Sequence, residues 1–115
     1  MLGMEGEVLK GHLDMIVLAA IEEGPAHGYA VIERIRSRSG GAFDLPEGTV
    51  YPVLHRLEQM KLLKSRWEMS PAGRRRRVYS VTGRGTADLA NRRALWRKFS
   101  DAIGTFTGEA RPCPT

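Results

Sequence analysis

Cysteine is nearly absent from this chain: Cys113 stands alone, between Pro112 and Pro114. With no internal partner it excludes a disulfide framework, and a reducing, cytoplasmic setting is expected. Long apolar runs are missing too. The longest, Met15 to Ile21 (MIVLAAI), has 7 residues, far below the ~20 that a membrane helix needs. The N-terminal stretch MLGMEGEV has no basic segment leading into an apolar one, so no signal peptide is expected. His12, His27 and His55 are too scattered for a metal site, and neither metal nor cofactor is expected. No nucleophile–base pair and no phosphate loop is visible, which argues against an enzyme.

What is present is a single domain's worth of chain. At 115 residues, 42% apolar and 27% charged, it can bury one real core. The net charge of +5 is unevenly spread. From His55 to Arg77 eight Lys or Arg residues face two Glu, so this segment accounts for the whole excess. A basic charge confined to one stretch suits a polyanion such as DNA or RNA, the bland alternative being a solvated basic face.

Periodicity organises the rest. Leu9 to Glu23 reads as a first helix, apolar on most of its circumference. It needs cover on two sides, which points to a second subunit. Gly24 and Pro25 stop it. His27 to Ser39 reads as a second helix, ended by Gly40 and Gly41, and Phe43 to Leu45 as a short extended piece. A third helix lies within LPEGTVYPVLHRLEQMKLL, Leu45 to Leu63, with Val50, Val53, Leu54, Leu57 and Met60 on its apolar stripe. Three short helices with tight breaks match a helix-turn-helix core. Leu63 to Met69 and Arg77 to Val81 then alternate as the strands of a hairpin around Ser70-Pro71-Ala72-Gly73. A hairpin directly after a helix-turn-helix is a wing. Thr82 is the expected N-cap of a last helix reaching about Phe106. Along it Leu89, Trp96, Phe99, Ile103 and Phe106 form an a/d seam for a homodimer, with one polar slot at Arg92.

The third helix opens awkwardly, with Pro46, Gly48 and Pro52 near its start. A helix that enters a major groove presents its N-terminal turn, where a proline loses little and free N–H groups suit phosphate. Two starts are open: a cap near Thr49, which leaves Pro52 harmless at the third helical position, or an earlier start with Pro46 in its favoured first position, in which Pro52 forfeits one internal hydrogen bond; the earlier start is preferred. Gly48, Thr49, Tyr51, Pro52, His55 and Arg56 then face outward toward DNA. Arg56 reads guanine or holds phosphate, and Pro52 meets a thymine methyl. Plainer roles stand beside these: Tyr51 packed on the second helix, His55 merely solvated, Arg56 paired near Glu58 or Gln59. Arg74, Arg75, Arg76 and Arg77 at the wing suit a minor groove or its phosphates, the rival being a solvated loop tip. Trp67 alternates with charged residues and reads as packing of the wing onto the core. Trp96 reads as interface packing.

These residues resemble the PadR-like family of transcriptional regulators. The resemblance runs from Leu9 to about Leu89 and rests on HGY at His27 to Tyr29, GTVYPVLHRLE at Gly48 to Glu58, Trp67-Glu68, and the Y-x-x-T-x-x-G of Tyr79 to Gly85. The single C-terminal helix is similar to the short-tailed branch. The resemblance implies a mainly α fold with a small β-hairpin: a winged-helix DNA-binding domain over residues 1–82, a dimerisation helix over 83–107 and a disordered tail over 108–115. It implies a homodimeric repressor on an inverted-repeat operator in double-stranded DNA, with no membrane partner. It adds His27 and Tyr29 as phosphate contacts. It also implies release by a small aromatic effector in an apolar cavity between subunits, lined by Met15, Trp96 and Phe99, with Arg92 or Arg93 orienting an anionic one. Two departures stand out. Lys61 occupies a place where the family commonly has glycine, and the wing is more basic than usual. A winged-helix protein-interaction module and a ligand-independent autorepressor remain the alternatives.

Overall fold

The computed structural model describes residues 9–109. The N-terminal stretch in which no signal peptide is expected lies outside those residues, as does the expected tail beyond Glu109. Four helices and a three-stranded antiparallel sheet follow in the order α1 (Leu13–Glu22), β1 (Ala26–His27), α2 (Gly28–Arg38), α3 (Glu47–Gln59), β2 (Leu63–Met69), β3 (Arg75–Val81) and α4 (Gly83–Thr107). This is the winged-helix fold that the alternation and the 3.6-residue spacing predict. No helix among the described residues is long and apolar enough to cross a membrane.

The core forms where three apolar stripes meet. Val17, Leu18 and Ile21 of α1, Val31 and Ile35 of α2, and Val50, Val53, Leu54 and Leu57 of α3 are buried together. Leu63 and Tyr79 close this core from the sheet, and Leu89 closes it from α4. Leu89 was expected on the seam between subunits. It is 0% exposed within its own chain, so it offers no surface to a partner. It packs in the core because it lies only two turns from the start of α4, where the helix still crosses the domain. Beyond Leu89 no residue of α4 is buried, and the helix carries Leu95, Trp96, Phe99, Ile103 and Phe106 into solvent.

Several boundaries differ from the sequence expectation. Leu9 and Lys10 are helical, but Gly11 and His12 form a turn, so α1 starts at Leu13; glycine's cost inside a helix favours that break. Phe43 to Leu45 joins no strand among the described residues, and the Phe43 N–H donates to Ser39 Oγ instead. The third strand is instead Ala26–His27, which lies against β3 with Ala26 opposite Tyr79 and His27 opposite Val78. Pro46 is the N-cap of α3 and Glu47 its first residue, one position later than expected. Pro52 still lies inside the helix, as the earlier of the two starts predicts, and has no N–H for the Gly48 carbonyl. On the hairpin, β3 begins at Arg75 rather than Arg77.

Two corners lock the wing and α4 to the domain. Thr82 caps α4 as its position predicts, accepting from the Gly85 N–H at 2.9 Å while its hydroxyl donates to the Lys61 carbonyl at 2.7 Å. Gly85 lies so close to the α3–β2 corner that a β-carbon there would stand 2.1 Å from the Leu62 carbonyl oxygen. The Thr and Gly of the Y-x-x-T-x-x-G stretch are thus a cap and a close approach.

Helices α2 and α3 end in the same hydrogen-bonded motif. In α2 Gly40 N–H reaches Ser37 and Gly41 N–H reaches Arg36; in α3 Lys61 N–H reaches Glu58 and Leu62 N–H reaches Leu57. The left-handed position is Gly40 in the first, at φ 62°, and Lys61 in the second, at φ 66°. A side chain there is strained, where glycine is not. Lys61→Gly is expected to stabilise the fold by about 0.5–1 kcal/mol, and Gly40→Lys to destabilise it by a similar amount. Urea unfolding at fixed protein concentration measures both, and a Lys61→Gly midpoint at or below wild type would contradict the strain.

Candidate nucleic-acid interface

Burial of Val50, Val53, Leu54 and Leu57 fixes how α3 is rotated. The opposite stripe, by helical spacing, is Gly48, Pro52, His55 and Gln59, all exposed. Gln59, which the sequence offers only as a possible partner of Arg56, belongs to this stripe; its i+4 relation to His55 is the signal that places it there. The other predicted residues of α3 sit on its flanks. Thr49 is half-buried. Tyr51 turns toward α2, where a β-carbon on Gly28 would stand 2.3 Å from its hydroxyl; burial and the nearby Glu47 raise its pKa. Arg56 turns toward α1 and pairs with Asp14.

Asp14 is a junction. Its side chain is only 18% exposed and faces Arg56 on one oxygen and Arg92 Nη2, 3.6 Å away, on the other. Arg92 also donates to Asp88 at 2.5 Å. One carboxylate of α1 thus stands between the third helix and α4. The partners Asp14 and Arg56 are 42 residues apart, beyond any local spacing signal.

The start of α2 comes up beside the start of α3. Tyr29 is exposed and its hydroxyl donates to Glu47 at 2.6 Å, which raises the phenol pKa. His27 is half-buried at the end of β1. Burial first, then the Arg76 and Arg34 guanidiniums, holds its imidazole below the usual histidine range. Near neutral pH it therefore presents a neutral ring that donates a hydrogen bond without adding charge.

The hairpin divides the four arginines between its two faces and its turn. Leu63, Ser65, Trp67 and Met69 share one face with Val81, Tyr79, Arg77 and Arg75, their partners in register. Arg76 belongs to the opposite face, across from Glu68, and Arg74 to the turn. None of the four arginines pairs with a carboxylate among the described residues. Arg77 Nε donates to Ser65 Oγ at 2.9 Å, and Ser65 donates to Glu58 of α3 at 2.5 Å. Those two bonds tie the wing to the third helix. Trp67 does not pack onto the core as its alternation suggested. It is 53% exposed, because the hairpin runs past the core's edge, and Arg75 and Arg77 lie against its ring instead.

Away from this face, α1 and α4 enclose an open groove of about 250 Å³ lined by His12, Met15, Arg92, Leu95, Trp96 and Phe99, with Gly11 at one end. The predicted trio Met15, Trp96 and Phe99 is brought together here. The His12 and Trp96 rings meet edge-on, with centroids 5.1 Å apart. Among the described residues no group of three or more His, Cys, Asp or Glu is placed to hold a metal.

Comparison with known proteins bears on this arrangement. The model of the transcriptional regulator PadR-like family matches residues 17–91. The transcriptional regulator Rv3488 of Mycobacterium tuberculosis is 37% identical over 89 residues, covering 76% of this chain and 79% of that protein. A solved transcriptional regulator from Clostridium thermocellum superposes with a TM-score of 0.80 at 26% identity, over 90% of this chain and 97% of its own. A PadR family transcriptional regulator from Eggerthella lenta does so with a TM-score of 0.76 at 32% identity, over 88% and 86%.

Proposed function

This chain belongs to the PadR-like family of transcriptional regulators, and on that premise we propose that it is a homodimeric, cytoplasmic repressor. It binds an inverted-repeat operator in double-stranded DNA and lets go when a small aromatic ligand binds. Two exposed features support the DNA-binding part: the α3 stripe of Gly48, Pro52, His55 and Gln59, and a wing whose arginines have no carboxylate partner among the described residues. Ser65 links the wing to α3 through Arg77 and Glu58.

The parts divide the work. Gly48 and Pro52 leave the front of α3 narrow, so its backbone approaches the base edges closely. His55 and Gln59 supply hydrogen bonds that discriminate bases. Tyr29 exchanges its bond to Glu47 for a phosphate oxygen, and His27 donates to a neighbouring phosphate. Thr49 and Tyr51 hold the helix at its angle. The wing supplies most of the charge.

The dimer is supported by the exposed ridge of Leu95, Trp96, Phe99, Ile103 and Phe106 on α4. A second copy of this helix covers such a ridge. Two copies then present two third helices ~34–36 Å apart, the spacing of successive major grooves.

Ligand release is supported by the groove beside Trp96 and by the Asp14 junction. A flat ring stacks on Trp96, and a carboxylate on it draws Arg92 away from Asp14. Asp14 then closes on Arg56 alone, and α1 shifts against the reading helix. In this account Asp14 restrains Arg56 from DNA in every state.

Footprinting of the region upstream of its own gene tests the reading: two protected half-sites about one helical turn apart are expected. An absence of protection would contradict it. Ile103→Asp should give monomers by analytical ultracentrifugation and lower operator affinity by at least about tenfold, since each half-site then binds alone; a dimeric variant would misplace the seam. Asp14→Asn frees Arg56 and should steepen the log–log salt dependence by about 0.9, one extra phosphate contact. An unchanged slope would show that Arg56 does not reach the backbone.

A further inference from the structure

The wing's tryptophan has no part in the reading above. An exposed indole on a basic hairpin serves either as a plate for stacked bases or as a rack for cations. Here the ring is already occupied. The guanidinium carbons of Arg75 and Arg77 lie 4.6 and 5.1 Å from its centroid. Arg77 is directly opposite Trp67 in the ladder and Arg75 is the next residue on that face.

We propose that Trp67 positions Arg75 and Arg77 as a paired probe for the narrow, A·T-rich minor groove of duplex DNA, beside the major groove that α3 enters. The proposal rests on the DNA-binding reading and refines it: of the four wing arginines, this pair reads the groove.

Three observations carry it. Both arginines lack a carboxylate partner among the described residues, so their charge is available to a polyanion. Both are already ordered against a ring, which removes much of the side-chain entropy that a mobile arginine loses on binding. And the pair has a fixed address, since Arg77 is bonded to Ser65 and Ser65 to Glu58 on α3. Narrow A·T grooves concentrate negative potential, and a planar, weakly hydrated guanidinium enters them more readily than an ammonium. Arg76, on the other face of the hairpin, and Arg74, on the turn, have neither the ring nor the link to α3. They add charge without groove preference.

The test uses the full chain with two synthetic duplexes, one of alternating A·T pairs and one of alternating G·C pairs. Wild type should favour the A·T duplex. Trp67→Leu keeps apolar bulk but no ring face. It should weaken A·T binding about tenfold, because two arginine side chains must then be immobilised on binding rather than before it. It should abolish the A·T preference and leave the salt slope unchanged, because no charge is removed. Trp67→Phe should restore most of both. The Arg75→Ala/Arg77→Ala protein should lose about 2 in slope, and adding Trp67→Leu to it should cost nothing further. Arg75→Lys/Arg77→Lys, which leaves the tryptophan in place, should lose the A·T preference at an unchanged slope. Trp67→Leu binding like wild type, or a loss that adds in full to that of the arginine pair, would remove Trp67 from the site and leave the DNA-binding reading standing. Wild type that binds neither duplex would end both.

Discussion

Four side chains, Val50, Val53, Leu54 and Leu57, decide which way the third helix faces. Each is at most 3% exposed, and burying four such groups contributes on the order of 6–12 kcal/mol before entropy is set against it. That compares with a net stability of about 5–15 kcal/mol for a whole domain. The helix therefore cannot roll without unfolding the protein. Everything on its outer stripe inherits a fixed direction from this burial, including the two residues, Gly48 and Pro52, that a helix interior tolerates least. Pro52 removes one hydrogen bond from α3, and the apolar face more than offsets the loss.

The charges are arranged around that fixed helix with more economy than the count of arginines suggests. Arg34 caps the end of α1, donating to the carbonyls of Ala20 and Gly24 at 3.0 and 2.7 Å. Arg56 and Arg92 share Asp14, Arg66 pairs with Glu68, and Arg93 pairs with Glu22. Among the described residues the guanidiniums left without a carboxylate are Arg84 and Arg97, apart on α4, and the four consecutive arginines of the wing. Its basic character comes from which arginines remain unpaired as much as from how many there are. The same Asp14 connects the helix that faces outward to the helix that lines the aromatic groove.

Much of this was legible in the sequence, and the reasons differ by element. The apolar spacing of the third helix, the Thr82 cap and the turn at Ser70 to Gly73 are local signals, and the fold follows them. Lys61 was legible as a misfit only through the resemblance, in which glycine commonly ends this helix; the left-handed backbone there supplies the reason. Other features are not local. A two-residue strand such as Ala26–His27 has no periodicity to read. Trp67 alternates like a core residue, and only the length of the hairpin beyond the core shows that it does not reach one. Leu89 fits an a/d spacing as well as it fits the core, and spacing cannot tell how far a helix overlaps its own domain. The Arg56–Asp14 pair joins residues 42 apart in sequence. The residues that periodicity places least well are those at the edges of the core, where a side chain has both a packing and a surface role open to it.

The central claim is that pairing through α4 sets two copies of the α3 face at the spacing of successive major grooves. Pulsed electron–electron spin resonance on the chain with Cys113→Ser and a spin label at His55→Cys measures that spacing directly. The account predicts a single distance population near ~34–36 Å. An absence of dipolar coupling, or a population well away from that distance, would contradict it.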